Sequence, residues 1–271
     1  MTMTGGARGR RARSLALAAT VVTVVVVGCR RDPGDRGRRS GDDAPAAAPG
    51  APTGAAAARF PDADRPVSRI VSPRWSDEDS RDDAREADTV LTLLGVAPGT
   101  VVADVGAGSG YYTVRAARRV APGGRVYAED ITPRYLDDLR ARVRREALGN
   151  VTVVAGEPHD PRLPAAVVDV ALLVHMYHEI EQPYALLHNL APAMRPGGRV
   201  AIVDLDRPTN AHGTPPALLR CELARAGYQP AARHMLGPGE YLAVFTPPPP
   251  GTVTPEQITA AVRAAPCAAA R

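Results

Sequence analysis

Short apolar runs alternate with amphipathic stretches through the middle of the chain. Five apolar runs have the length of strands: VVADV (101–105), GRVYAED (124–130), VTVVAG (151–156), VDVALLVH (168–175) and RVAIVDL (199–205). Helical spacing is found at 111–120, 133–148, 183–194 and 215–227. The segment 229–245 has the pattern of two strands joined at Gly237-Pro238-Gly239. Together these elements predict an α/β fold with a seven-stranded, mostly parallel sheet, helices on both faces and one reversed edge strand.

The first 28 residues have the pattern of a secretory signal. An apolar run at 14–28 follows four arginines and, at 15 residues, is shorter than the roughly 20 that span a bilayer. The run ends in Val26-Val27-Gly28-Cys29, which resembles the bacterial lipobox, whose cysteine is lipidated. We therefore expect 1–28 to be a lipoprotein signal peptide and Cys29 to be the lipidation site. The alternatives are an uncleaved membrane anchor or a misassigned start codon.

Composition divides the remaining chain into three parts. Residues 29–68 contain much Pro, Gly, Ala and charge but few large apolar side chains, which predicts a disordered linker. The alternating pattern predicts a domain over 69–246, and 247–271 is a Pro- and Ala-rich tail with one short helical segment over 255–265.

Charge is distributed unevenly along the chain. Residues 1–40 contain nine Arg and two Asp, a charge of +7; the total is +4, so residues 41–271 carry −3. A slightly acidic domain argues against nucleic acid as a partner. The three cysteines include no CxxC pair and no spacing typical of a zinc site.

A glycine-rich turn, VVADVGAGSGYYTV (101–114), follows the first predicted strand. The dinucleotide fingerprint GxGxxG fits poorly, because Tyr111 occupies the position of its third glycine. Asp104 precedes Gly106 by two residues, where a carboxylate would repel a pyrophosphate and favour a ligand with a positively charged amino group. A nicotinamide-dependent oxidoreductase is therefore disfavoured. Simple turn glycines are the alternative for Gly106, Gly108 and Gly110.

The acid and GxGxG motif resembles that of class I S-adenosylmethionine-dependent methyltransferases, and the resemblance covers about residues 74–246. The subgroup is that of small-molecule enzymes related to quinone biosynthesis, with a Rossmann-like sheet. The resemblance implies S-adenosyl-L-methionine as cofactor, with Asp130 on the ribose hydroxyls and Glu129 as a neighbouring candidate. It also implies that Glu157 lies near the adenine, although Pro158 lacks the N–H found at that position in the family. The cofactor-binding residues implied are Asp104, Gly106, Gly108, Gly110, Tyr111, Asp130, Glu157 and His175.

Two of these positions have a structural alternative. Asp130 also suits a helix N-terminus, since it directly precedes ITPRYL. Tyr111 and Tyr112 also suit the apolar core. At this stage both interpretations stay open for each position.

The polar stretch HMYHE (175–179) follows the fourth predicted strand. Methyl transfer to a hydroxyl requires a base, and we predict His178 as that base, with Tyr177 or Glu179 orienting the acceptor. The alternative is that His178 only closes the cofactor pocket. We predict no metal site, although His175 and His178 have i, i+3 spacing. His212 lies on a loop that in this fold could cover the site.

The sequence therefore predicts a methyltransferase acting on a small molecule. It would be exported and held by its lipid on a membrane, facing the periplasm; a cytoplasmic protein is the alternative. A rival from another class is a non-catalytic lipoprotein that keeps the fold only to bind a nucleoside ligand. The sequence does not determine the oligomeric state.

Overall fold

The computed structural model describes residues 54–70 and 78–267. Chain contacts divide the protein into two units, 1–46 and 47–271, and every described residue belongs to the second. The predicted signal peptide and Cys29 lie outside the described residues.

Seven strands form one sheet in the order β3-β2-β1-β4-β5-β7-β6. Their bounds are β1 Val101–Val105, β2 Arg125–Asp130, β3 Val151–Ala155, β4 Val168–Val174, β5 Met194–Leu205, β6 Gln229–Gly237 and β7 Glu240–Thr246. The first five strands are parallel, whereas β7 pairs antiparallel with both β5 and β6. The predicted fold is confirmed, and the reversed strand is β7, which lies between β5 and the edge strand β6.

Helices cover both faces of this sheet. In the described residues they are α1 Glu78–Asp83, α2 Glu86–Leu93, α3 Tyr111–Val120, α4 Pro133–Arg145, α5 Pro183–Leu190, α6 Pro216–Arg225 and α7 Pro255–Ala264. None of them combines the length and apolar character needed to cross a bilayer.

Alternate side chains of each central strand enter different apolar layers. In β4, Ala171 and Leu173 belong to one layer, and Val170 and Leu172 belong to the other. All four are fully buried or nearly so, because a parallel sheet has helices on both faces. This is why the strand has a continuous apolar run rather than an alternating pattern.

The domain begins before the predicted boundary at residue 69. Phe60 is 7% exposed within the main apolar layer. Arg65 is buried and its Nε lies 2.9 Å from Glu222 Oε1. The described residues from Gly54 onward thus belong to the domain rather than to a linker. Composition could not show this, because one aromatic ring and one buried ion pair attach an otherwise polar segment.

The Pro- and Ala-rich tail also packs on the domain. Ile258 and Val262 of α7 are buried, and Thr254 caps this helix with a capping box. Cys267 forms a disulfide with Cys221 of α6, with the two Cα atoms 5.6 Å apart. The sequence predicts no partner for either cysteine, since a separation of 46 residues carries no signal.

Candidate active site

A cavity of about 560 Å³ opens at the carboxyl ends of β1, β2 and β4. The strand order reverses between β1 and β4, and such a switch point is where open α/β sheets bind ligands. The volume suits a drug-sized ligand. The wall includes the loops after these three strands, part of the loop after β3, residues 67–70 and Arg81.

The three glycines after β1 have different surroundings. A Cβ placed on Gly108 would meet nothing within 4 Å, and one on Gly106 would lie 2.9 Å from Met176 Cε. A Cβ on Gly110 would instead lie 2.6 Å from Leu139 Cδ1 of α4. Gly106 and Gly108 are on the cavity wall, whereas Gly110 is not. The contact that the structure gives Gly110 is close packing against a helix, and its ligand role stays a prediction.

Two acids at the end of β2 hold this glycine loop. Asp130 Oδ2 accepts from the Gly108 amide at 2.9 Å, and its Oδ1 accepts from the Thr132 amide at 2.8 Å. Glu129 accepts from the Gly106 amide at 3.2 Å. Burial raises the pKa of Glu129 well above its usual range, and the neighbouring Asp130 raises it further. Both acids line the cavity, and Asp130 serves the start of α4 as well as the loop.

Asp104 is a buried carboxyl on the cavity wall. Burial raises its pKa to about 6, against the hydrogen bond that Thr113 Oγ1 donates at 2.6 Å. A cationic group in the cavity would favour the ionised carboxylate. This agrees with the amino-bearing ligand that the sequence predicts.

Tyr111 serves both the wall and the core. It lines the cavity, is 3% exposed, and its ring lies between the guanidinium groups of Arg81 and Arg115, at 3.8 and 3.9 Å. Arg81 also pairs with Glu86 at 2.6 Å. Arg81 is a wall residue that the sequence reasoning missed, because one arginine in a polar helix ahead of β1 resembles any surface residue.

His175 presents a positive charge to the cavity. Burial alone would lower its pKa, but Glu240 and Glu86, at 3.4 and 3.7 Å from its Nε2, raise the pKa to about 9. The imidazole is therefore protonated at neutral pH. His175 is on the wall, as its predicted cofactor role requires, but the structure does not test that contact.

Tyr177 and His178 do not line the cavity. The 3₁₀ turn Tyr177–Glu179 buries both side chains completely, and Glu179 is the residue of this turn that reaches the wall. His178 Nδ1 lies 3.1 Å from each Asp204 oxygen. The predicted catalytic pair is thus one layer behind the wall, and its role stays a prediction that requires the wall to open. Strand endings alone cannot show how a following turn rotates its side chains.

Glu157 and Pro158 form the wall after β3. Glu157 pairs with Arg162 of the same loop. Their predicted position near an adenine remains a prediction.

Comparisons with known proteins agree with this fold. Residues 102–198 match the family model described as a methyltransferase domain, which spans β1 to the start of β5. A crystal structure of a SAM-dependent methyltransferase from Aquifex aeolicus is 25% identical, with a TM-score of 0.58, and covers 62% of this chain and 93% of that one. Over residues 102–198 the chain is therefore similar to methyltransferase domains, and its fold is that of an S-adenosylmethionine-dependent methyltransferase.

Two curated relatives act on different molecules. A nocamycin O-methyltransferase from Saccharothrix syringae is 33% identical over 113 residues, 42% of this chain and 40% of the relative. A ubiquinone/menaquinone biosynthesis C-methyltransferase from Pseudomonas putida is 27% identical over 121 residues, 44% and 47% of the two chains. The chain thus spans less than half the length of these relatives.

Asp130→Asn is expected to weaken binding of S-adenosylhomocysteine by about 2–3 kcal/mol, the scale of hydrogen bonds to a charged group. The reason is that Asp130 borders the cavity at the predicted ribose position, and asparagine keeps its shape without its charge. Calorimetric titration measures the change. Asp137→Asn, on the exposed face of α4, is the control. A loss seen with Glu129→Gln instead would move the ribose contact to that neighbour.

Proposed function

We propose that this domain transfers the methyl group of S-adenosylmethionine to a small-molecule acceptor. One observation carries the proposal: the wall position at Gly108 is open to the cavity, and Asp130 and Asp104 line the same cavity. This arrangement suits a ligand that has both a sugar diol and an amino group.

Methyl transfer requires mainly that the acceptor and the methyl donor be held in line. S-adenosylmethionine would supply a methyl group activated by its sulfonium, with the neutral thioether of S-adenosylhomocysteine as the leaving group. Since the cofactor supplies its own leaving group, the protein holds the two reactants in line and accepts any acceptor proton. Asp104 would hold the amino group, Asp130 the ribose, and Glu157 with Pro158 the adenine edge.

The remaining wall of the cavity suits a partly apolar acceptor. Val67, Ile70 and Ile180 contribute apolar surface, and Glu179 with Glu181 contributes carboxylates. The two named relatives methylate oxygen and carbon of small molecules, which supports the same acceptor class.

Calorimetry followed by a transfer assay tests this function. We expect S-adenosylmethionine and S-adenosylhomocysteine to bind at one site and NADH not to bind, and we expect methyl transfer from labelled cofactor to a panel of hydroxylated aromatic acceptors. Binding of NADH alone would contradict the methyltransferase function. Cofactor binding without transfer to any acceptor would favour the non-catalytic rival.

We further propose that the protein is exported and lipid-anchored through Cys29. The basic start, the short apolar run and the sequence Val26-Val27-Gly28-Cys29 support this location. The Cys221–Cys267 disulfide supports it independently, because such bonds persist in oxidising compartments and are rare in the cytosol. Export would separate the domain from the cytoplasmic source of its cofactor, so the non-catalytic rival keeps a specific observation in its favour.

Cys29→Ser is expected to move the protein out of the membrane fraction or to leave its precursor unprocessed, because serine offers no thiol for acylation. Fractionation with mass determination of the N-terminus measures both. Ser40→Ala in the predicted linker is the control, since it leaves both the lipobox and the Cys221–Cys267 disulfide intact. A native protein that is cytosolic with an intact N-terminus would contradict both the anchor and the export.

A further inference from the structure

We propose that His178, Glu179 and His212 form a binding site for a divalent transition-metal ion of the zinc type. The first two residues belong to the 3₁₀ turn after β4, and His212 belongs to the loop after β5. One ligand atom from each of the three lies within 4.8 Å of the others. The inference concerns metal binding alone and does not depend on the methyl-transfer proposal.

His178 is oriented as metal-binding histidines are. Its Nδ1 lies 3.1 Å from both oxygens of Asp204, which also accepts from the Thr214 hydroxyl at 2.6 Å and the Leu205 amide at 2.8 Å. A carboxylate only accepts hydrogen bonds, so His178 Nδ1 carries the proton and donates. The other ring nitrogen, Nε2, then has a lone pair and faces the cluster. A carboxylate behind an imidazole is the usual support of a metal ligand.

His178 Nε2 is a buried polar atom without a hydrogen-bond partner. The side chain is 1% exposed, and Nε2 has no hydrogen-bond partner, with Glu179 Oε1 at 4.0 Å. A buried polar atom without a partner is unfavourable, and a metal ion would satisfy it. The rings of His178 and His212 are 5.5 Å apart between centroids and nearly perpendicular, at 89°.

The donor set and its spacing suit zinc. Two imidazoles and one carboxylate are a frequent set of three protein ligands that leaves a fourth position open. Ligand atoms around a tetrahedral zinc ion lie roughly 3.3 Å apart, given bonds of about 2.0–2.1 Å, so rotation of Glu179 and His212 would bring the cluster to that spacing. Glu179 lies on the cavity wall and His212 is half-buried, which leaves a route for the ion to enter.

A second cluster of similar composition is a poor metal site. Glu86, His175 and Glu240 also lie close together, with one imidazole and two carboxylates. His175 is a cation there, with a pKa of about 9, and already pairs with both acids. A metal ion would have to displace that proton. The i, i+3 spacing of His175 and His178 therefore does not indicate a shared metal site, because the structure places the two residues in different clusters.

Titration of the full chain with zinc or cobalt tests the site. The background is Cys29→Ser, made without a histidine tag, so that neither a free thiol nor a tag competes. We expect one equivalent of Zn²⁺ to bind, and Co²⁺ to give the intense visible absorption of a four-coordinate site. Asp204→Asn, which alters only the supporting carboxylate, is expected to weaken binding about 10–100-fold.

Two ligand variants and two controls make the result specific. His178→Gln and His212→Gln should each weaken Zn²⁺ binding at least about tenfold, and circular dichroism checks that they fold. His212 is on a half-buried loop, so its variant keeps the test valid if the buried His178 variant does not fold. His175→Gln and His234→Gln should bind as the parent does. No binding by the parent chain, a loss with His175→Gln, or full binding by folded His212→Gln would each overturn the proposal.

Discussion

Gly108→Val is expected to abolish binding of S-adenosylhomocysteine while the domain remains folded. A Cβ at Gly108 meets no protein atom within 4 Å, so the new side chain would occupy cavity space that the ligand needs. Gly108 also has a φ of +54°, which costs an L-residue roughly 1–2 kcal/mol. We expect the affinity to fall at least about 100-fold, or about 3 kcal/mol, as measured by calorimetry.

Gly197→Val is the matched control for this prediction. Gly197 has a φ of +80° and an equally open Cβ position, but it lies at the amino end of β5, away from the cavity. Both variants should therefore lose similar free energy of unfolding, and only the first should lose the ligand. A Gly108→Val protein that is destabilised yet binds normally would show that this glycine serves only the backbone.

Removing the disulfide is expected to lower the free energy of unfolding by about 4 kcal/mol. The Cys221–Cys267 bond closes a loop with a sequence separation of 46. In the chain-entropy model, such a bond lowers the conformational entropy of the unfolded state and so stabilises the folded state relative to it. It also ties the end of the chain to α6, beside the packed helix α7. Urea unfolding of the Cys221→Ser/Cys267→Ser double variant measures the change.

Reduction of the native protein shows how much of the stability change comes from loss of the disulfide and how much from the substitutions themselves. Dithiothreitol should destabilise the parent by the same amount and leave the double variant unchanged. Cys29→Ser should unfold as the parent does. If native protein isolated without reductant has free thiols at both Cys221 and Cys267, the pairing is wrong, and the support it gives to the proposed export is lost.

The fold could be predicted from the sequence because the patterns that indicate strands and helices lie within short segments of the chain. The apolar runs at 101–105 and 168–175 have the length of buried strands, and the stretches between them have helical spacing. Once strands alternate with helices, a parallel sheet follows from the way each element buries its apolar side. The loop at Gly106 and Gly108 was readable for the same reason, since an acid, a turn and a helix start are consecutive in the chain.

Roles that depend on contacts between distant segments were not readable. Gly110 packs on Leu139, Arg81 reaches the cavity from a helix ahead of the sheet, and His178 turns inward to Asp204. Each outcome depends on which side of a turn faces a partner far away in sequence, and no local pattern contains that information.

By itself, the sequence determined the succession of strands and helices along the chain and the glycine loop with Asp104 before it, because these depend on hydrophobic periodicity and on the geometry of consecutive residues. Only the tertiary structure decided that residues 54–70 and α7 belong to the domain, that Cys221 meets Cys267, and that Glu179 reaches the cavity wall while His178 lies behind it. The physical reason is that long-range packing and buried polar pairing, such as that of Arg65 with Glu222, depend on distances that exist only after the chain has folded.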